Sequence, residues 1–262
     1  MEQRYLQVGD IKVRFLDMGA GRPVVLLHGL GGSIESWTNN IDGLSKKMRV
    51  VALDLPGFGY SDKPKIKYTI KFYRDFLAAF VELLRLETPS LVGSSLGGQI
   101  AAELAINRPE LLHRLVLTSP PGALPASFKG TPALKRYVRV AQAKTVEQVK
   151  QALFAVDNKP VDDAYARLAH ERLSMPGAKD AFLSALKESA RATRLNNRLQ
   201  KIRAPTLVLW GKQDVMIPVK FAEPFVKMKN CRVVVLEGCG HRPHVEKPAL
   251  FNRIVADFLN EP

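Results

Sequence analysis

A chain of 262 residues with 46% hydrophobic and 24% charged side chains is long enough to bury a sizeable core, and α/β folds reach this size as one domain. No apolar run approaches the roughly 20 residues that span a bilayer, and the opening MEQRYLQVGD lacks the basic flank and apolar stretch of a signal peptide, so a soluble, cytoplasmic protein is expected. The net charge of +14 raises nucleic acid or an anionic membrane as partners, but no helix-turn-helix, RNP-like or zinc-finger signature and no polybasic tail is present, so no nucleic-acid partner is expected.

In chain order, IKVRFLDMG and PVVLLHG read as a strand pair. RVVALDLPG, PSLVGSS, HRLVLTSP, PTLVLWGKQD and RVVVLEGCGH are further short apolar runs that end in turn residues. Most lack polar alternation, as strands buried on both faces should. Helical patterns lie between several of them, at Thr69 to Leu86, Gly97 to Ile106 and Pro248 to Leu259. Strand and helix in alternation predict an α/β fold with a mostly parallel central sheet covered on both faces.

From about Gly122 to Leu199 no strong strand appears, only helical segments at Pro132 to Gln142, Thr145 to Phe154, Asp162 to Leu173 and Lys179 to Ala192. That length is too great for a loop. The reading is a core of residues 1–121 and 200–262 with a helical lid inserted at 122–199. Residues 121 to 203 hold 16 Lys and Arg, Lys129 among them, against seven Asp and Glu, a net +9 read as a solvated basic face. Leu134, Tyr137, Val138, Leu153, Phe154, Phe182 and Leu186 are its candidate pocket lining. The cations belong on its outside, because an unpaired buried charge is costly.

Cys231 and Cys239 bracket the last strand-like run; extended at about 3.3 Å per residue, that run holds the sulfurs too far apart to bond. Two reduced thiols fit a cytoplasmic home. With His241 and His244 they do not supply an evident ligand set, so no metal is expected.

The chemistry concentrates at strand ends, where ligands bind in a parallel sheet. In GSSLG, the pattern Gly, x, Ser, x, Gly fits only the frame centred on Ser95, since Ser94 would need glycines where Val92 and Leu96 stand. Glycines on both sides let a sharp strand-to-helix turn form without Cβ collisions, and the turn lifts the serine hydroxyl clear. A serine hydroxyl needs a base. Of the five histidines, His113 and His170 read as surface residues. His241 ends the last strand, and it is preferred over His244, three residues on. The base in turn needs a carboxylate to fix its tautomer. Asp214 closes LVLWGKQD at the same rim; Asp54 also ends a strand but precedes the serine and reads as structural.

These blocks, HGLGGSIESW, DLPGFGYSD, GSSLGG, WGKQD and GCGHRPHVEKP, resemble the α/β-hydrolase family over nearly the whole chain. The resemblance implies the serine-nucleophile branch: a triad of Ser95, Asp214 and His241, an oxyanion hole from the backbone N–H groups of Leu30 and Leu96, a structural His28, and a lid after TSPPG. It implies a carboxylesterase-like hydrolase of short- to medium-chain acyl esters that needs no cofactor. A serine at the elbow argues against similar epoxide hydrolases and haloalkane dehalogenases, which carry aspartate there. Meta-cleavage C–C hydrolases stand near, although they commonly carry asparagine and tryptophan where this chain has Ser94 and Arg242. The same blocks also fit a lactonase, a perhydrolase or a hydrolase-fold small-molecule receptor.

Overall fold

The computed structural model describes residues 3–123, 132–157 and 160–261. The chain opens with β1 (Arg4–Val8), β2 (Ile11–Met18) and β3 (Pro23–Leu27), then α1 (Thr38–Ser45), β4 (Arg49–Leu53), α2 (Ile70–Leu83), β5 (Ser90–Ser94), α3 (Leu96–Asn107) and β6 (Leu115–Thr118). Four helices follow: α4 (Pro132–Gln142), α5 (Val146–Asp157), α6 (Asp163–Ser174) and α7 (Ala178–Arg191). The chain then returns through β7 (Thr206–Gly211), α8 (Glu223–Val226), β8 (Cys231–Leu236), α9 (Pro243–Glu246) and α10 (Pro248–Leu259).

Eight strands form one sheet in the order β1-β2-β4-β3-β5-β6-β7-β8, parallel from β4 to β8 and antiparallel at β1 and β2. The expected pairing of β2 with β3 is not made: β4 lies between them, antiparallel to β2 and parallel to β3. Local pattern identifies strands, while the order across a sheet is set by crossovers that bury long-range surface. β1, α1, α8 and α9 carry too few periodic apolar residues to stand out in the sequence.

The apolar runs lack alternation because each strand feeds two cores. Val25, Leu27, Val51 and Leu53 point into one with α2 and α3, while Val24, Leu26, Val50 and Ala52 point into the other with α1 and α10. Each fully buried Val or Leu contributes about 1.5–3 kcal/mol, so the strand centres anchor the fold. α2 buries Ile70, Tyr73, Phe76, Leu77 and Phe80, spaced at three and four. It starts one residue later than the apolar pattern begins, because Thr69 is its cap and accepts a 3.0 Å bond from Phe72 N–H.

In the helical block the predicted segments lie within a few residues of α4 to α7. Arg172 departs from expectation. It is 8% exposed and faces the core, tolerated there because Glu35 lies 2.6 Å from its guanidinium and Ser33 Oγ accepts from it. Phe154 is 48% exposed and is absent from the wall of the cavity over Ser95. Lys129 and the Leu134 side chain lie outside the described residues. No helix among the described residues is long and apolar enough to cross a membrane.

Candidate active site

β5 ends at Ser94, and the chain turns into α3 through Ser95, whose φ of 51° and ψ of −115° are a conformation that L residues rarely adopt. The turn is tight enough to demand glycine on both sides. A Cβ on Gly93 would lie 2.4 Å from the Gly97 carbonyl oxygen, and one on Gly97 would lie 2.3 Å from that of Leu27. Ser95 N–H donates 2.8 Å to Thr118 O, tying the elbow to β6. Ser95 occupies the N-cap position of α3 but makes no side-chain cap bond. Its hydroxyl lies instead 3.1 Å from His241 Nε2.

His241 Nδ1 is 2.8 Å from Asp214 Oδ2. An ionised carboxylate only accepts, so Nδ1 carries the proton and Nε2 presents its lone pair to Ser95. Asp214 Oδ1 accepts 2.8 Å bonds from the N–H groups of both Met216 and Ile217, which fixes the carboxylate. Ser95, Asp214 and His241 are all buried, so these contacts are sheltered from water. The structure thus brings together the three residues singled out from the sequence.

Several residues that hold this arrangement carry no sequence signal of their own. The loops after β7 and β8 touch at Gly211, where a Cβ would lie 2.0 Å from Gly240 O. Gln213 bridges the same loops, its N–H donating 2.9 Å to Cys239 O while its Oε1 accepts from Cys239 N–H at 3.0 Å. Glu246 clamps the His241 segment from behind: its two carboxylate oxygens accept the N–H of Gly240 at 2.8 Å and of Arg242 at 3.0 Å, one on each side of His241. Such bonds between distant residues are invisible to local pattern.

His244 differs from the exposed loop histidine that its position in the sequence indicates. It is 1% exposed, with its ring centroid 4.2 Å from that of Trp37, and burial, helped by Arg242 and His241, pushes its pKa well below the ordinary value. A neutral imidazole is the form such a site accepts.

The loop from His28 to Trp37 supplies the opposite wall. His28 Nε2 accepts from Leu55 N–H at 3.0 Å and Nδ1 donates 2.7 Å to Gly29 O, a neutral ring, in line with the downward pKa shift that burial imposes. Asp54 Oδ1 accepts 2.8 Å from Ile34 N–H, while Arg14 Nε lies 2.7 Å from its Oδ2. Glu35 in this loop lies 2.8 Å from Arg14 as well as against Arg172. Burial alone would raise its carboxyl, but the hydrogen bond from Arg14 and the charges of Arg172 and Arg14 hold it at about 2. Leu30 stands in the cavity wall and Leu96 opens α3 directly after Ser95. Tyr137, Val140, Leu153, Val156 and Phe182 from the helical block close the cavity, so three of the expected lining residues are there and Val140 and Val156 join them.

A family model described as the alpha/beta hydrolase fold matches residues 22–248. The chain belongs to the alpha/beta-hydrolase fold family. Within it, this hydrolase-fold protein is 31% identical to the 2-hydroxy-6-oxo-2,4-heptadienoate hydrolase of Pseudomonas putida, over 98% of this chain and 95% of that one. The structure of a meta-cleavage product hydrolase from Pseudomonas fluorescens, complexed with acetates, has a TM-score of 0.88 and 26% identity, covering 98% of this chain and 97% of that one. The structure of a protein named a membrane phospholipase A has a TM-score of 0.84 at 30% identity and covers 99% of this chain and 86% of that one.

Proposed function

We propose that this protein is a serine hydrolase that cleaves carboxylic esters of neutral short- to medium-chain acids through an acyl-enzyme. The observation that carries this reading is the Ser95 hydroxyl, turned away from the helix it could cap and set 3.1 Å from a base. In the proposed cycle His241 Nε2 takes the Ser95 proton as Oγ attacks the ester carbonyl. The N–H groups of Leu30 and Leu96 receive the developing oxyanion, aided by the N-terminal end of α3. The imidazolium, stabilised by Asp214, then protonates the departing alcohol. A water activated by the same nitrogen attacks the acyl carbon and releases the acid. Every step uses side chains and backbone of this chain, so no cofactor is invoked.

The acyl group would pack on Tyr137, Val140, Leu153 and Phe182, whose apolar surface favours a neutral chain. Residues 122–199 would act as its lid. A relative named phospholipase A supports an ester substrate.

Carbon–carbon hydrolysis is the second reading, favoured by a relative named for a dienoate substrate and a solved structure named a meta-cleavage product hydrolase. A dienoate carries a carboxylate, and Arg242 is the cation in the cavity wall among the described residues, with Nη1 3.0 Å from Tyr165 Oη. The test compares kcat/KM for p-nitrophenyl esters from acetate to decanoate with that for a 2-hydroxy-6-oxo-dienoate. Ester turnover peaking at short or medium chains supports the first reading, and a dominant dienoate rate replaces it with the second. A single burst without further turnover would make the pocket a receptor site.

A further inference from the structure

The cavity over Ser95 is small, about 60 Å³ of free volume. An acyl group packed there on Tyr137 and Phe182 leaves the alcohol portion of an ester to be placed elsewhere. Beside it lies a second cavity of about 410 Å³, within the roughly 300–1,000 Å³ range of small-molecule sites. The two share Ser36, Tyr165 and Arg242. The partition between them is therefore made largely of two side chains, Tyr165 on α6 and Arg242 in the loop before α9. They are joined by the 3.0 Å hydrogen bond, with the guanidinium 5.5 Å from the Tyr165 ring centroid.

We propose that the outer cavity is the leaving-group subsite of the active site, taking a neutral, hydrogen-bonding alcohol portion larger than methyl. This rests on the ester reading above. The side of the site decides the assignment. A leaving oxygen must come within reach of the imidazolium that protonates it. Arg242, Val245 and Glu246, the segment directly after His241, line the outer cavity. Gly29, Leu30 and Phe182 line only the inner one, on the oxyanion side.

The lining decides the chemical class. Ser36, Thr38 and Asn39 offer hydroxyl and amide groups, and Val161 and Val245 offer apolar contact. Glu35 is already tied to Arg14 and Arg172, and Asp162 and Glu246 stand in the wall with Arg242 among the described lining residues, so the wall holds no surplus cation to favour an anionic leaving group.

The decisive variant is Asn39→Trp, since Asn39 is exposed and the new side chain fills the cavity mouth without entering the core. The substrates are methyl butyrate and 4-(hydroxymethyl)benzyl butyrate, which share an acyl group and differ only in the alcohol. The ratio of their kcat/KM values, large alcohol over methyl, is expected to fall about tenfold or more in the variant, as excluding a group from a fitted pocket does. An unchanged ratio overturns the assignment. Calorimetric binding of free benzene-1,4-dimethanol to Ser95→Ala protein, with and without Asn39→Trp, reads the cavity independently of turnover. Binding lost in the double variant supports the subsite even if the native protein hydrolyses no ester, in which case the ester reading alone fails. No binding to the Ser95→Ala protein overturns the subsite.

Discussion

Arg172 of α6 and Glu35 of the loop after β3 lie 2.6 Å apart, and this contact fastens the helical block to the loop that carries Leu30. Glu35 also lies 2.8 Å from Arg14, and Arg14 lies 2.7 Å from Asp54, which holds Ile34 N–H. The loop is thereby gripped from the sheet below and the helices above.

Arg172→Met should destabilise the protein by about 2 kcal/mol, less than a fully buried pair would, because Glu35 keeps some contact with water. Removing both partners should cost less than the sum of the single changes, since neither charge is then stranded. Urea unfolding of the native protein, Arg172→Met, Glu35→Gln and the double variant measures this. Additive losses would show that the pair is not coupled.

Ser95→Ala should abolish nearly all turnover while the fold persists, whereas Ser94→Ala, one residue earlier in the cavity wall, should retain a substantial part. His241→Ala should lose far more than His244→Ala. Labelling with a fluorophosphonate checks the first pair, because the label must be lost in Ser95→Ala and kept in Ser94→Ala, with fragment-ion mass spectrometry placing it on Ser95 in the native protein.

On methyl butyrate, whose small alcohol does not need the outer cavity, Glu246 should act through position. Glu246→Ala frees the N–H groups on both sides of His241, so kcat for that ester should fall about tenfold or more while its KM changes little. Glu246→Gln keeps one acceptor oxygen and should recover part of the rate. Steady-state kinetics on one ester decides it; equal defects in the two variants would assign Glu246 a charge effect.

His28 and His244 are buried neutral, with burial pushing both below the ordinary value of 6.5. The unfolded chain gains these protons below pH 6.5 while the folded one resists, so their contribution to stability is present above 6.5 and lost as pH falls. Each adds a slope of at most about 1.4 kcal/mol per pH unit. Glu35, held at about 2 against an ordinary 4.5, contributes no slope above 4.5, so the window from 6.5 down to 4.5 reads the histidines free of it. His244→Gln should flatten the fall of denaturation midpoint with pH in that window; an unchanged slope would mean His244 titrates normally.

The sequence by itself marked most of the strands and long helices and singled out the three residues that the fold brings together. Apolar runs without alternation mark strands fed by two cores, the frame of glycines fits only Ser95, and Asp214 and His241 each follow a strand. These signals are local, because a backbone turn, a buried strand and a strand end are each written within a few residues. The tertiary structure alone decided that β4 separates β2 from β3, that Arg172 turns inward to Glu35, that His244 is buried against Trp37, and that Glu246 and Gln213 hold the loops of His241 and Asp214. Each of these joins residues through space. A hydrogen bond or ion pair between distant segments leaves no periodicity, and its worth depends on the burial that only the folded chain creates.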